Sequence, residues 1–163
     1  MFHGGGWSKG DRVSFRYLCH YFASRGLVAA TANYRLGKGK RICITDAKSA
    51  IRWYKQNAAK LGVDPKRIIA GGGSAGGHIA LLATTNPGLN DPSDSKEYDT
   101  SVVAYLLFNP ALKPKKDMEV TFENHIKAAM PPMIAFWGTQ DNWLTGWKSA
   151  CEKMQSLDNE SIE

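Results

Sequence analysis

At 163 residues, 43% hydrophobic and 22% charged, the chain has the makeup of one folded domain that buries about two-thirds of its unfolded surface, not of a disordered segment. A net charge of +6 raises nucleic acid as a partner, but the densest basic stretches, LGKGKR (36–41) and KPKK (113–116), are short and interleave no aromatics, so a solvated surface and no nucleic acid are expected. The longest apolar runs, LVAATA and VVAYLLF, fall far below the roughly 20 residues that cross a bilayer, and no membrane span or leader pattern is expected.

The elements follow from periodicity. Phe15, Leu18, Cys19 and Phe22 stand at i, i+3, i+4, i+7, which predicts a helix over 13–25 with one buried face, stopped by Gly26. LVAATANY (27–34) reads as a strand. From Asp46, the positions Ala47, Ala50, Ile51, Tyr54, Ala58 and Leu61 repeat the helical spacing until Gly62. RIIAG follows the Asp64-Pro65 turn as a short strand, and SAGGHIALLATT (74–85) is a helix. TTNPGLNDPSDSKEYDTS (84–101) has turn residues without apolar period and reads as a surface loop. SVVAYLLF (101–108) and PPMIAFWG (131–138) are strands separated by an irregular region, 109–130. Trp147, Ala150, Cys151 and Met154 mark a last helix.

Strands apolar on both faces, alternating with helices, predict an α/β fold: a mostly parallel sheet covered on both sides. No repeat or linker divides the chain, so 1–163 reads as one domain. Cys19, Cys43 and Cys151 are odd in number and lack a CxxC pairing, which predicts free thiols and no zinc site. Nothing here assigns a cellular location, and the cytoplasm is the default expectation.

Three stretches carry chemistry. Gly72-Gly73-Ser74-Ala75-Gly76 places G-x-S-x-G between a strand and a helix, where a tight turn lifts the Ser hydroxyl to the carboxyl end of the sheet. Side chains two positions either side of Ser74 would collide with neighbouring backbone, and the helix N-terminus points partial positive charge at the same spot. Gly71 to Gly76 also satisfies G-x-G-x-x-G, so this turn alone leaves dinucleotide binding open. FHGGGW (2–7) adds a glycine loop whose N–H groups suit an oxyanion hole, and GTQD adds Asp141 behind a late strand.

In the order HGGG, GGSAGG, GTQD, the chain resembles the α/β-hydrolases, and in particular the lipase and esterase group with an HGGG oxyanion loop. The likeness extends over SRGLVAATANYRL, TDAKSAIRWYKQNAAKLGVDPKRIIAGGGSAGGHIALL and PPMIAFWGTQD, nearly the whole chain. It implies Ser74 as nucleophile, Asp141 as triad acid, and the N–H groups of Ala75 with Gly4 or Gly5 as oxyanion hole. It implies two-step acyl transfer on a small uncharged ester, with no cofactor and no metal. Acyl and alcohol preferences are not legible.

The family's base is a His after one further strand, and no His follows Asp141. The base is therefore expected beyond Glu163, and Met1 and Phe2 are expected to be the end of a central strand, so that the chain is truncated at both ends. Of the histidines present, His125 is the one substitute base considered, His3 is expected to brace the glycine loop, His78 to pack locally and His20 to face solvent. Trp7 is expected to wall the pocket. Tyr34-Arg35 with Asp46 resembles a pair that holds a loop. In the family's sheet order, 27–34 and the strand 133–137 lie at opposite edges, and these apolar edges predict a homo-oligomer. A hydrolase-like binding or partner protein without catalysis is the alternative.

Overall fold

A computed structural model describes residues 1–113 and 117–159. Of KPKK only Lys113 lies within them; Glu163 lies outside. In chain order the elements are a 3₁₀ turn Arg12–Phe15, α1 Arg16–Ser24, α2 Lys40–Gln56, α3 Ala58–Leu61, β1 Ile69–Gly73, α4 Ala75–Thr85, β2 Ala104–Phe108, 3₁₀ turns Met118–Val120 and Phe122–His125, β3 Met133–Phe136 and α5 Leu144–Gln155.

The three strands form one parallel sheet in the order β1-β2-β3, with Ala70 opposite Tyr105 and Tyr105 opposite Met133. Phe2 extends it on the β1 side, bridging Gly72 and Ala32 in parallel. The predicted side-by-side order of 27–34, Phe2 and the three later strands is thus present. However, 27–34 is no strand: its only ladder contact is at Ala32. Along the sheet it meets Met1, whose carbonyl accepts from Ala32 and whose amine donates to Ala30, while Arg12 and Tyr54 take other polar groups of the segment.

One face of the sheet is closed. Ala70, Tyr105, Leu107 and Met133 point into a core shared with Cys43, Ala47 and Ile51 of α2, Ile79, Ala80 and Leu81 of α4, and Trp147, Ala150 and Met154 of α5. α4 is apolar all round and nearly wholly buried, as a central helix should be. The other face departs from the prediction of a sheet covered on both sides. Ile69, Ile134 and Phe136 are 52, 45 and 54% exposed, and among the described residues this side is approached by Phe15 against Phe108 and by the Met1 side chain at Gly71. The predicted buried face on the first helix is also corrected: none of its residues is fully buried.

The predicted second helix starts six residues earlier than Asp46, at Lys40, and breaks at Asn57 before α3. Residues 86–101 are irregular as expected, but they are fastened along α2 by a polar row. Thr45 donates to the Leu89 carbonyl, Ser49 and Arg52 to the Asp94 carboxylate, and Lys55 to Asp99. These positions share one helical face. Arg35 and Asp46 meet at 2.6 Å, with the Arg35 backbone N–H also donating to Asp46, so the loop before α2 is held as the sequence suggested. The three cysteines are free thiols.

Candidate active site

Ser74 stands where β1 turns into α4, at φ +50 and ψ −119. A residue with a β-carbon adopts this region only when its surroundings force it. Here the Ser74 N–H donates to the Phe108 carbonyl at 2.9 Å, and its own carbonyl accepts from Ala111 at 2.9 Å and His78 at 3.2 Å. The glycines leave the required space. A Cβ on Gly72 would lie 2.6 Å from the Gly76 carbonyl carbon, and one on Gly76 would lie 2.5 Å from the His3 carbonyl oxygen. The collision inferred from the motif is therefore physical. The Ser74 hydroxyl makes no hydrogen bond among the described residues, and it sits at the N-terminus of an eleven-residue helix.

The glycine loop lies against this turn. A Cβ on Gly4 would be 3.3 Å from the Ser74 Cβ. Gly5 takes φ +114, and its carbonyl accepts from Ser8 and Lys9, so the loop folds back on itself within a single turn. Among the described residues the N–H groups of Gly4, Gly5 and Ala75 serve no backbone carbonyl. Beneath the loop, His3 is fully buried and its Nδ1–H donates to the Gly4 carbonyl at 2.8 Å. Its ring stacks on Tyr34 at 4.3 Å, and the Tyr34 hydroxyl donates to the His3 carbonyl at 2.9 Å. Burial pushes the Tyr34 hydroxyl up to about 12, so it stays a donor at neutral pH. His3 thus braces the loop.

Asp141 follows β3 and is half-buried. Its carboxylate accepts the Trp143 N–H at 2.8 Å, and its carbonyl accepts from Leu144 at the start of α5. Ser74 directly follows β1 and Asp141 comes five residues after the end of β3, two strands along the sheet, where strand axes are about 10 Å apart.

The imidazoles are elsewhere. His125 bonds the Glu119 carbonyl at 2.9 Å and lies 3.4 Å from the Asn86 side chain. Asn86 caps the far end of α4, about 18 Å of helix rise from Ser74. His125 therefore does not reach the candidate nucleophile. His78 is buried, and its Nε2–H donates to the Val120 carbonyl at 2.9 Å while its ring meets Trp7 edge-on at 5.2 Å. His20 is exposed on α1. Trp7, at φ +63, is half-buried beside the loop, with the Lys40 ammonium 3.9 Å from its ring centre.

Two contacts had no sequence signal. Phe15 fills the space in front of Gly73, its ring 3.2 Å from where a Cβ would stand. Lys48, buried in the polar row of α2, donates to the Asn86 carbonyl at the C-terminus of α4 at 2.5 Å. Burial, and then Arg52, pull its ammonium down to about 8.

A parallel sheet with helices, a strained Ser turn at its carboxyl edge and a glycine loop against that turn define an α/β-hydrolase fold. Residues 1–105 match the model of the BD-FAE family, and the chain belongs to that family. It is similar to the probable carboxylic ester hydrolase LipM of Mycobacterium tuberculosis, 35% identical over 64% of this chain and 25% of LipM. It is similar to carboxylesterase NlhH of the same organism, 40% identical over 50% of this chain and 26% of NlhH. Among solved structures, esterase 2 of Thermogutta terrifontis phosphoramylated by tabun superposes with a TM-score of 0.93 at 40% identity, covering 98% of this chain and 67% of the esterase. The same esterase is known with propionate bound. The matched regions span about a quarter of the length of these curated relatives.

Proposed function

We propose that this chain carries the nucleophile and oxyanion hole of a carboxylic ester hydrolase. The observation that carries the reading is Ser74 itself: a positive-φ residue with an unbonded hydroxyl, at a helix N-terminus, pressed against the Gly4 backbone. A turn held this far from ordinary backbone geometry is a cost that a plain scaffold has no need to bear. The esterase relatives support the reaction class, and tabun modification of the Thermogutta enzyme supports an acyl-accepting nucleophile.

Ser74 Oγ attacks the ester carbonyl and loses its proton to a base. The carbonyl oxygen becomes an oxyanion, which the N–H groups of Ala75 and of Gly4 or Gly5 stabilise. The alkoxide leaves with a proton, and water releases the acid from the acyl-enzyme in the reverse sequence. Asp141 serves as the acid that orients the base. The substrate is a small uncharged ester with a short acyl group, in keeping with the propionate held by the Thermogutta esterase, and Trp7 is a wall of its pocket.

Among the described residues no imidazole is hydrogen-bonded to the Ser74 hydroxyl, so neither acylation nor deacylation has a base and both steps are slow. A triad short of one member keeps roughly 10³ to 10⁴-fold acceleration over water. Turnover of p-nitrophenyl butyrate is therefore expected to be feeble, dependent on Ser74 and unaltered by His125→Ala. Robust turnover that survives Ser74→Ala would sink the proposal. A second reading, a hydrolase-like binding protein, is favoured by the remoteness of His125; under it Ser74→Ala changes nothing.

A further inference from the structure

The 3₁₀ turn and α1 make one helical rod, Arg12 to Ser24, whose outer side the ester chemistry does not use. Phe15, Leu18, Cys19 and Phe22 face inward and are partly covered. Outward lie two adjoining stripes. Val13, Tyr17 and Tyr21 recur every four residues and are 53, 77 and 53% exposed. Arg12, Arg16 and His20 recur at the same interval one residue earlier, all exposed. Four-residue spacing keeps each set on one side of a helix.

Past Asp11, the charged residues of the rod and of the segment that follows it have one sign. No acidic residue occurs between Asp11 and Asp46, and the Asp11 carboxylate is occupied in capping the rod, accepting the Val13 N–H at 2.7 Å. Arg35 and Arg41 are committed to Asp46, Asp117 and Glu119. Arg12, Arg16 and Arg25 pair with no acid among the described residues. Two of them are set beside the aromatic stripe, Arg16 over Tyr17 and Arg25 over Tyr21, each 5.1 Å from the ring centre. Leu27 and Val28, each 50% exposed, carry apolar surface past the end of the helix.

We infer that this face docks on an anionic lipid surface, the guanidiniums of Arg12, Arg16 and Arg25 meeting phosphate headgroups while Val13, Tyr17 and Tyr21 sit at the headgroup boundary. Tyrosine suits that depth because its ring is apolar and its tip polar. Arginine suits it because a phosphate accepts two of its N–H groups at once. The stripe is convex and narrow, the shape of an interfacial helix lying in the plane of a membrane. The inner side of the same rod holds Phe15 against Gly73, next to Ser74, so docking would set the candidate site beside the lipid layer. That last consequence rests on the ester-hydrolase reading; the docking does not.

The test is flotation of the full chain with vesicles of phosphatidylcholine alone and of equimolar phosphatidylcholine and phosphatidylglycerol. Binding is expected on the anionic vesicles only, with release by high salt. Removing three guanidiniums in R12Q/R16Q/R25Q should weaken it about a hundredfold, and Y17S/Y21S should weaken it severalfold, with circular dichroism unchanged in both. No binding, equal binding to neutral vesicles, or either variant binding like the parent would overturn the inference. Retention on immobilised polyglutamate in place of vesicles would give the face to an acidic protein, and so would also overturn it. Ser74→Ala should dock like the parent, so loss of the esterase reading leaves this result standing.

Discussion

The two faces of the sheet obey different rules. Towards α2, α4 and α5, every inward strand residue from Ala70 to Met133 is buried, and the Tyr105 hydroxyl there pairs with Thr84 at 2.6 Å. Towards α1, Ile134 and Phe136 are about half exposed, and the aromatic row Phe15, Phe108, Phe136 has solvent on one side. Ser74 stands at the seam: its carbonyl and helix belong to the closed face, while Phe15 reaches it from the open one. The closed face supplies the rigidity that a strained turn needs.

The largest effect should come from crowding the closed side at the seam. In Gly76→Ala the new methyl would meet the Phe2 and His3 carbonyls, backbone that cannot swing aside as a side chain could. A loss of at least about 3 kcal/mol is expected by chemical denaturation. Gly26→Ala, at φ +83 with nothing within 4 Å, should cost only about 1 kcal/mol from its backbone angle. Equal losses would mean that the close approach of Phe2 and α4 is not what fixes the turn.

Next comes the contrast in burial. Leu81→Ala, wholly buried on α4, should lose about 2 to 5 kcal/mol. Ile134→Thr, 45% exposed, should stay within about 0.5 kcal/mol. A large loss at Ile134 would show that the open face is covered in solution. The open β3 edge also predicts self-association: light scattering should find oligomers that Phe136→Lys disperses. A monodisperse parent would contradict it.

Lys48 should give the smallest signal. Its folded pKa of about 8 lies below the ordinary 10.5, so the unfolded chain binds more protons above pH 8 and stability should rise with pH from this group. Between pH 8 and 9 the parent should gain stability relative to Lys48→Met, since the opposing contributions of the buried Tyr34, Tyr105 and Cys43 are common to both proteins. Parallel curves would mean that the buried ammonium is better solvated than its position implies.

Much of this was legible in the residues. The Ser74 turn was readable because steric demand writes itself as glycine on both sides of it, and the helix over 74–85 was readable as a helix, though not as the buried one it is. The sheet order followed from the family likeness. The strand at 27–34 was overread: apolar composition reports a tendency to pair, whereas the segment makes one bridge, at Ala32, and spends other polar groups on Arg12 and Tyr54. Coverage of both faces was overread for the same reason, since apolar strands state what should be buried without stating what is there to bury it. His125 could be placed only in three dimensions, because an irregular segment has no period to say which end of α4 it meets. The Lys48 cap was hidden in a polar helical face that reads as solvated.

The most direct test of the account is covalent. The chain is treated with a fluorophosphonate and the adduct is mapped by mass spectrometry, with Ser74→Ala and Gly4→Val alongside; valine at Gly4 would press on Ser74 and the loop beneath it. The account predicts one phosphonyl group on Ser74 of the parent, none on Ser74→Ala and slowed labelling of Gly4→Val. Phosphonylation at another residue, or equal labelling of Ser74→Ala, would contradict it.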